Sequence, residues 1–221
     1  MRFFHSRSEL SHMSDEGNGG ERHHHGNHDS HEHNHHEPDE RGDHDGHDHH
    51  HHDVDTVQYA VVTVSSSRSL DEDPAGDAIE EAIEASGGDV TVRSLIDDDY
   101  DGVQAEVHNL VGRDDVDALV TTGGTGVTLD DVTVEAIDPL FGKKLPGFGE
   151  LFRRLSFDEI GTRVVGTRAT AGVARAVPVF CLPGSENAAR LGAEEIIVEE
   201  AGHLVGLAQR GGESEDDDTE E

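Results

Sequence analysis

The chain of 221 residues carries 49 acidic against 16 basic residues, a formal net charge of -33, with one cysteine and no tryptophan. That balance argues against non-specific nucleic-acid binding, because no basic stripe is present to displace counterions from a phosphate backbone. A single cysteine, Cys181, rules out a disulfide framework within one chain, and no apolar run approaches the roughly 20 residues that a membrane-spanning helix needs. Residues 53–209 alone hold 30 acids and 11 bases, so the tails do not account for the charge. Acidity spread over a folded region is expected of a protein adapted to high salt, of the haloarchaeal kind, where concentrated counterions screen self-repulsion. The lone cysteine points to a reducing interior. The N-terminus lacks the apolar stretch of a secretory signal, and the expectation is a soluble cytoplasmic protein.

Residues 1–52 contain 16 of the 18 histidines, among Gly, Asp, Glu and Asn. This low-complexity segment has almost nothing to bury and is expected to be disordered without metal. Its first twelve residues, "MRFFHSRSELSH", differ in composition from the Gly- and His-rich stretch after them, so translation is expected to begin at Met13. One folded domain is expected over 53–209, then an acidic, solvated, disordered tail over 210–221.

Inside the domain, strand and helix patterns alternate. "VQYAVVTV" (57–64) is a short apolar β-rich run. The 77–86 segment places Ala78, Ile79, Ala82, Ile83 and Ala85 largely on one helical face, and Gly87 and Gly88 stop it. "DVTVRSLI" (89–96) reads as a second strand; Val103, Val107, Leu110 and Val111 then define a helix over 100–112. "DALVTT" (117–122) is the third strand, and "DVTVEAID" (131–138) starts a helix before Pro139. "AVPVFCLPG" (176–184) is a buried strand, which makes Cys181 a core residue rather than a nucleophile. Residues 185–209 read as helix with Ser185 as N-cap. Near-continuous apolar strands alternating with helices predict a doubly wound, mostly parallel α/β sheet with helices on both faces. Ligands of such sheets sit beyond the carboxyl ends of the strands. Three loops are predicted there: 65–69, 123–126 and 183–185.

"TTGGTG" (121–126) follows a strand and precedes a helix. Gly123, Gly124 and Gly126 can turn several backbone N–H groups toward one point and let an anion approach the main chain. The loop has neither the lysine of a P-loop nor the spacing of a dinucleotide fingerprint. A tight strand–helix turn accounts for the same residues equally well. Asp130 and Asp131 follow the loop, and Asp97, Asp98 and Asp99 end the preceding strand. Carboxylates on adjacent strand ends could hold Mg2+ beside a bound phosphate. In so acidic a chain most aspartates serve solvation or helix capping, and composition does not choose among them.

The succession "TTGGTG", "DVTVEAI", "PGFGELFR", "RATAGVAR" and "LPGS" over about 57–205 resembles the MoaB/MogA family of molybdenum-cofactor biosynthesis, with "FGELFRRLSFDEIGTR" similar to the MoaB branch. The resemblance implies a homotrimer or homohexamer that transfers AMP from Mg-ATP to the terminal phosphate of molybdopterin and releases pyrophosphate. A separate molybdotransferase downstream would then insert molybdenum, or tungsten in some organisms. Carried over by motif, Thr122, Gly123, Gly124, Thr125 and Gly126 match the phosphate-binding loop, and Asp131 matches the acid of the "D-V-T" motif. Asp98 matches the family's other acid; this chain has Asp97 where relatives have proline, so Asp97 and Asp99 stay as alternatives. Asp98 and Asp131 are therefore the expected catalytic and Mg2+-holding acids. Pro146, Gly147, Gly149 and Glu150 match a further binding segment, and Pro183, Gly184 and Ser185 match the last loop. Lys143 and Lys144, the only lysines, are expected in a solvent-facing loop, Phe148 in packing, and Arg153 within reach of a neighbouring subunit.

The histidine runs, His23, His24 and His25 with His47, His49, His50, His51 and His52, supply imidazoles that suit Zn, Ni or Cu. They lack the fixed spacing of a structural zinc site, so loose accessory binding is expected. Two other readings stay open: a protein of this fold that binds molybdopterin without catalysis, and a metal-storage or chaperone role centred on the histidines.

Overall fold

The computed structural model describes residues 53–210. The expectations for the histidine runs, the start at Met13 and the acidic tail lie outside the described residues.

In chain order the strands are β1 (Gln58–Val64), β2 (Asp89–Ile96), β3 (Ala118–Thr122), β4 (Lys143–Lys144), β5 (Thr170–Ala174) and β6 (Val177–Leu182). The helices are α1 (Pro74–Ala85), α2 (Tyr100–Leu110), α3 (Thr133–Ile137), α4 (Pro146–Ile160), α5 (Glu186–Gly192) and α6 (Val198–Gln209); a π-helical turn, Ala193–Ile197, joins the last two. One sheet forms in the order β2-β1-β3-β6-β5-β4. β2, β1, β3 and β6 are parallel; β5 runs antiparallel to β6, and β4 antiparallel to β5.

Both faces of the sheet are covered, which is why its central strands are apolar at nearly every position. Tyr59, Val61, Ala118, Val120, Phe180 and Leu182 point to one core, with Ile79 and Ile83 of α1, Phe148 and Phe152 of α4, and Ile197 and Val205 from the C-terminal helices. Ala60, Val62, Leu119, Val179 and Cys181 point to the other, with Val103 and Val107 of α2 and Ile137 of α3. The chain leaves β1 over one face through α1 to β2, then returns over the other through α2 to β3. The switch point therefore falls between the adjacent strands β1 and β3, where such sheets open a crevice.

A buried ionic hub starts α1. Asp73 is fully buried; its carboxylate accepts from the Gly76 amide at 3.1 Å, the Thr63 hydroxyl at 2.5 Å and Arg93 Nη2 at 3.1 Å. Arg93 also pairs with Asp77 and Glu80.

Three differences from the expected elements have local causes. The helix expected from residue 131 begins at Thr133, because the Asp131 carboxylate is engaged in the preceding turn. Periodicity does not announce α4; its apolar stripe is thin, with Phe148, Gly149, Phe152 and Ser156 buried. Nor does the sequence announce β5. It joins β6 through the two-residue turn Arg175–Ala176, both at positive φ (50° and 65°), a conformation usually signalled by Asn or Gly. Lys143 and Lys144, expected in a loop, form the exposed edge strand β4.

Candidate active site

The carboxyl ends of β1, β2, β3 and β6 open onto a pocket of about 530 Å³. Three expected loops meet there: Ser65, Ser67 and Arg68 from the first, Gly123 to Gly126 from the second, and Pro183 and Gly184 from the third. Asp98, Asp131, Arg163 and Thr167 complete the wall.

The glycines of the second loop answer to backbone geometry first. Gly123 has φ 99°, and a Cβ there would lie 2.2 Å from the Val64 carbonyl oxygen. Its amide donates to the Leu182 carbonyl at 3.1 Å, tying β3 to β6. Gly124 has φ 61°, and its Cβ would lie 2.2 Å from Thr133 Oγ1. Both residues sit where an L side chain is strained and has no room. The same bareness leaves the main chain as the pocket wall.

Asp131 closes this loop. Its Oδ2 accepts from the Thr128 amide at 2.7 Å and the Thr128 hydroxyl at 2.6 Å. Partial burial works against ionisation, but the hydroxyl and amide of Thr128, the amide of Gly126 and the charge of Arg168 outweigh it. The carboxyl is held below its ordinary range. Asp98 is fixed from the first loop: its Oδ2 accepts from the Ser66 amide at 2.8 Å, while its own amide donates to the Ser66 hydroxyl at 3.1 Å. Of the three successive aspartates, Asp99 caps α2 through the Gly102 amide and Asp97 is exposed. Asp98 is the one that lines the pocket.

Other expected residues stand elsewhere. Thr122 is buried, and its hydroxyl donates to the Pro183 carbonyl at 2.9 Å, so it braces two of the loops from beneath. Ser185 caps α5, accepting from the Ala188 amide at 3.4 Å, and lines a separate depression with Glu186 and Ile160. Pro146, Gly147, Gly149 and Glu150 occupy the first turns of α4 and are not among the residues lining the pocket. Phe148 is buried, its ring centroid 5.4 Å from that of Phe180. Arg153 Nη1 donates to the Ala169 carbonyl of its own chain at 3.5 Å. Lys144 pairs with Asp138 at 2.7 Å.

The positive charge at the site comes from arginines to which sequence reasoning gave no role. Arg68 and Arg163 line the pocket. Arg168 stands behind it: Nε donates to the Gly126 carbonyl at 2.6 Å, Nη2 to the Asp131 carbonyl at 3.1 Å, and the guanidinium pairs with Glu135. Its backbone amide donates to the Thr125 carbonyl at 3.3 Å. Arg168 and Glu135 are 33 positions apart, so no local spacing signals the pair.

The family model described as "Probable molybdopterin binding domain" matches residues 60–203. A relative named molybdenum cofactor biosynthesis protein B, from Halalkalibacterium halodurans, is 42% identical over 151 residues, covering 68% of this chain and 89% of the relative. The crystal structure of a molybdenum cofactor biosynthesis protein B superposes with a TM-score of 0.68 at 37% identity, over 70% of this chain and 97% of that one. The tungsten cofactor synthesizing protein MoaB from Pyrococcus furiosus superposes with a TM-score of 0.63 at 40% identity, over 70% and 98%. Matched by that family model over residues 60–203 and by a relative at 42% identity, the chain belongs to the MoaB/MogA family of molybdenum-cofactor biosynthesis.

Proposed function

We propose that the pocket adenylylates molybdopterin, using ATP and Mg2+. The observation that carries this reading is the convergence of a bare glycine loop, two carboxylates and two arginines at the switch point of the sheet. In the reaction, an ionised oxygen of the terminal pterin phosphate attacks the α-phosphorus of ATP. The bond from that phosphorus to the bridging oxygen of the β-phosphate breaks, and pyrophosphate leaves with the electron pair. The nucleophile is already an anion, so no general base is required. The protein's work is positioning and charge compensation, as in other phosphoryl-group transfers.

The donor set fits magnesium. Mg2+ takes one or two carboxylates and completes its shell with water and substrate phosphates, and the pocket offers Asp98 and Asp131. Among the described residues no three His, Cys, Asp or Glu side chains gather at one point, so the metal would be shared with the phosphates rather than caged. When bound, it supplies charge neutralisation of the polyphosphate. Asp131 suits this role because its carboxyl is held in the ionised form. The glycine loop lets phosphate oxygens approach the main chain, and Ser66 fixes the orientation of Asp98.

The family reading also includes a homotrimer or homohexamer. A groove of about 330 Å³ beside α4, lined by Leu145, Pro146, Phe148, Leu151 and Leu204, supports it as an apolar surface suited to a second copy. Light scattering in concentrated KCl tests the assembly. The histidine-rich segment is taken as an accessory binder of Zn, Ni or Cu, and its deletion should leave adenylyl transfer intact.

The test is single-turnover AMP transfer by the full chain in concentrated KCl with Mg-ATP and molybdopterin. Adenylylated pterin and pyrophosphate are expected from the parent. Asp98→Asn and Asp131→Asn are expected to lose turnover by at least about a hundredfold while still binding the pterin. Pterin binding without turnover in the parent would make the protein a carrier instead.

A further inference from the structure

We infer that Arg68 and Arg163 form the phosphoanion-recognising pair of this pocket, gripping substrate phosphate from opposite sequence segments. The inference rests on the proposed reading of the site as a phosphate pocket and adds the residues that select the ligand's charge. The domain is strongly acidic, and the pocket itself carries Asp98 and Asp131. An anionic substrate entering that field needs fixed positive charge, and these two arginines are the cations of the lining.

Within the pocket lining both keep donors unspent. Several described cations are paired with acids: Arg93 with Asp73, Asp77 and Glu80, Arg113 with Asp115, Arg168 with Glu135, Arg190 with Glu81, Glu186 and Glu194, and Lys144 with Asp138. The Arg163 guanidinium lines the pocket without a hydrogen bond or ion pair to any described residue; the residue is exposed, on the turn Gly161–Gly166. Arg68 approaches Asp73 only at 3.8 Å, and that carboxylate already has Thr63, Gly76 and Arg93 as closer partners. Its guanidinium therefore keeps most of its donors. Thr167, next on the wall after the Arg163 turn, has a hydroxyl oxygen with no hydrogen-bond partner. Two guanidinium forks are well matched to phosphate oxygens. A pair with donors unspent, in a chain where acids outnumber bases threefold, is poised for an external anion.

The shared chemistry is a phosphoryl oxyanion, from the nucleotide or from the pterin's terminal phosphate. Calorimetric titration of the full chain with Mg-ATP, with inorganic pyrophosphate and with molybdopterin separates the two sources. Arg163→Gln and Arg68→Gln are each expected to weaken at least one ligand by roughly tenfold or more, the worth of one charge-assisted hydrogen bond. Which ligand weakens assigns the phosphate held. Arg163→Lys should restore part of the loss, and Arg113→Gln, remote from the pocket, should change nothing. Arg163 has no internal partner to lose, so its variant should unfold at the parent's temperature. Unchanged affinity for all three ligands in Arg163→Gln and Arg68→Gln would overturn the inference even if the parent turns over. A parent that binds none of the three would instead defeat the phosphate reading of the pocket itself.

Discussion

Arg168 and Asp131 are joined through the main chain: Arg168 Nη2 donates to the Asp131 carbonyl at 3.1 Å, while Nε of the same guanidinium donates to the Gly126 carbonyl at 2.6 Å. One planar group thus spans both ends of the loop that carries the proposed metal-holding acid, and Glu135 anchors it from α3. Arg168→Ala should cost about 1–3 kcal/mol of stability through lost charge-assisted hydrogen bonds. It should also lower kcat by more than it raises KM, because Asp131 loses its support while the pocket lining stays. Arg168→Lys, which keeps the charge but not the fork, should recover only a minor part. Denaturant unfolding and steady-state kinetics together check this.

Gly124 cannot be alanine without distortion. Its φ of 61° and the 2.2 Å approach of a Cβ to Thr133 Oγ1 act together. Gly124→Ala should cost roughly 1–3 kcal/mol from the backbone alone and should also abolish turnover. The double variant Gly124→Ala/Thr133→Ala should regain part of the stability, and thermal melts of the three proteins measure it.

The Asp73 hub tests how far the first loop depends on a buried charge. Removing the carboxylate leaves Arg93 short of a partner and uncaps α1 at Gly76. Asp73→Ala should destabilise by roughly 3–5 kcal/mol, the usual result of breaking one side of a buried pair. Equilibrium urea unfolding at fixed KCl provides the measurement.

Acid sensitivity follows from the sign of the carboxyl shifts. In Asp131 burial opposes ionisation, yet Thr128, Gly126 and Arg168 win and lower the value. In Glu135 the hydrogen bond from Arg168 is the leading cause, also downward. A carboxyl depressed in the folded state contributes stability that is complete above its unfolded value, near about 4, and is lost as pH falls through the folded value. Stability should therefore be flat with respect to these groups above about pH 5 and decline below about pH 4. Arg168→Ala should flatten that decline, as acid titrations of unfolding for parent and variant would reveal.

Cys181 should be chemically silent. It is fully buried in β6, and burial pushes its thiol up to about 12 despite a hydrogen bond with Thr121 that acts the other way. A thiol-specific reagent at pH 8 should label it only after denaturation.

How much is legible in the sequence depends on how local each cause is. The strands β1, β2, β3 and β6 are legible because burial on both faces of a sheet demands apolar runs, and those runs stand in the sequence almost without interruption. The loops after them are legible because a strand–helix turn at positive φ demands glycine, which is why Gly123 and Gly124 can be singled out. The cap at Ser185 is legible for the same local reason. Everything fixed by contact between distant segments stays hidden. β5 escapes because Arg175 and Ala176 are held at positive φ by the hairpin itself and carry no turn residue to announce it. The choice of Asp98 over its two neighbours is made by Ser66, across from the end of β1. The first turns of α4 carry the motif residues Pro146 to Glu150, yet they pack by β5 and the apolar groove rather than at the pocket wall. The arginines of the site give no signal because pairing in space sets their roles: Arg168 meets Glu135 33 positions away, and the Arg163 guanidinium has no ion pair with any described residue. Periodicity and turn chemistry are properties of neighbours in sequence, so sequence alone determined the parallel strands of the sheet, the loops after them and the family. Charge pairing at a pocket is a property of neighbours in space, and only the folded chain decided which acids and which arginines face one another.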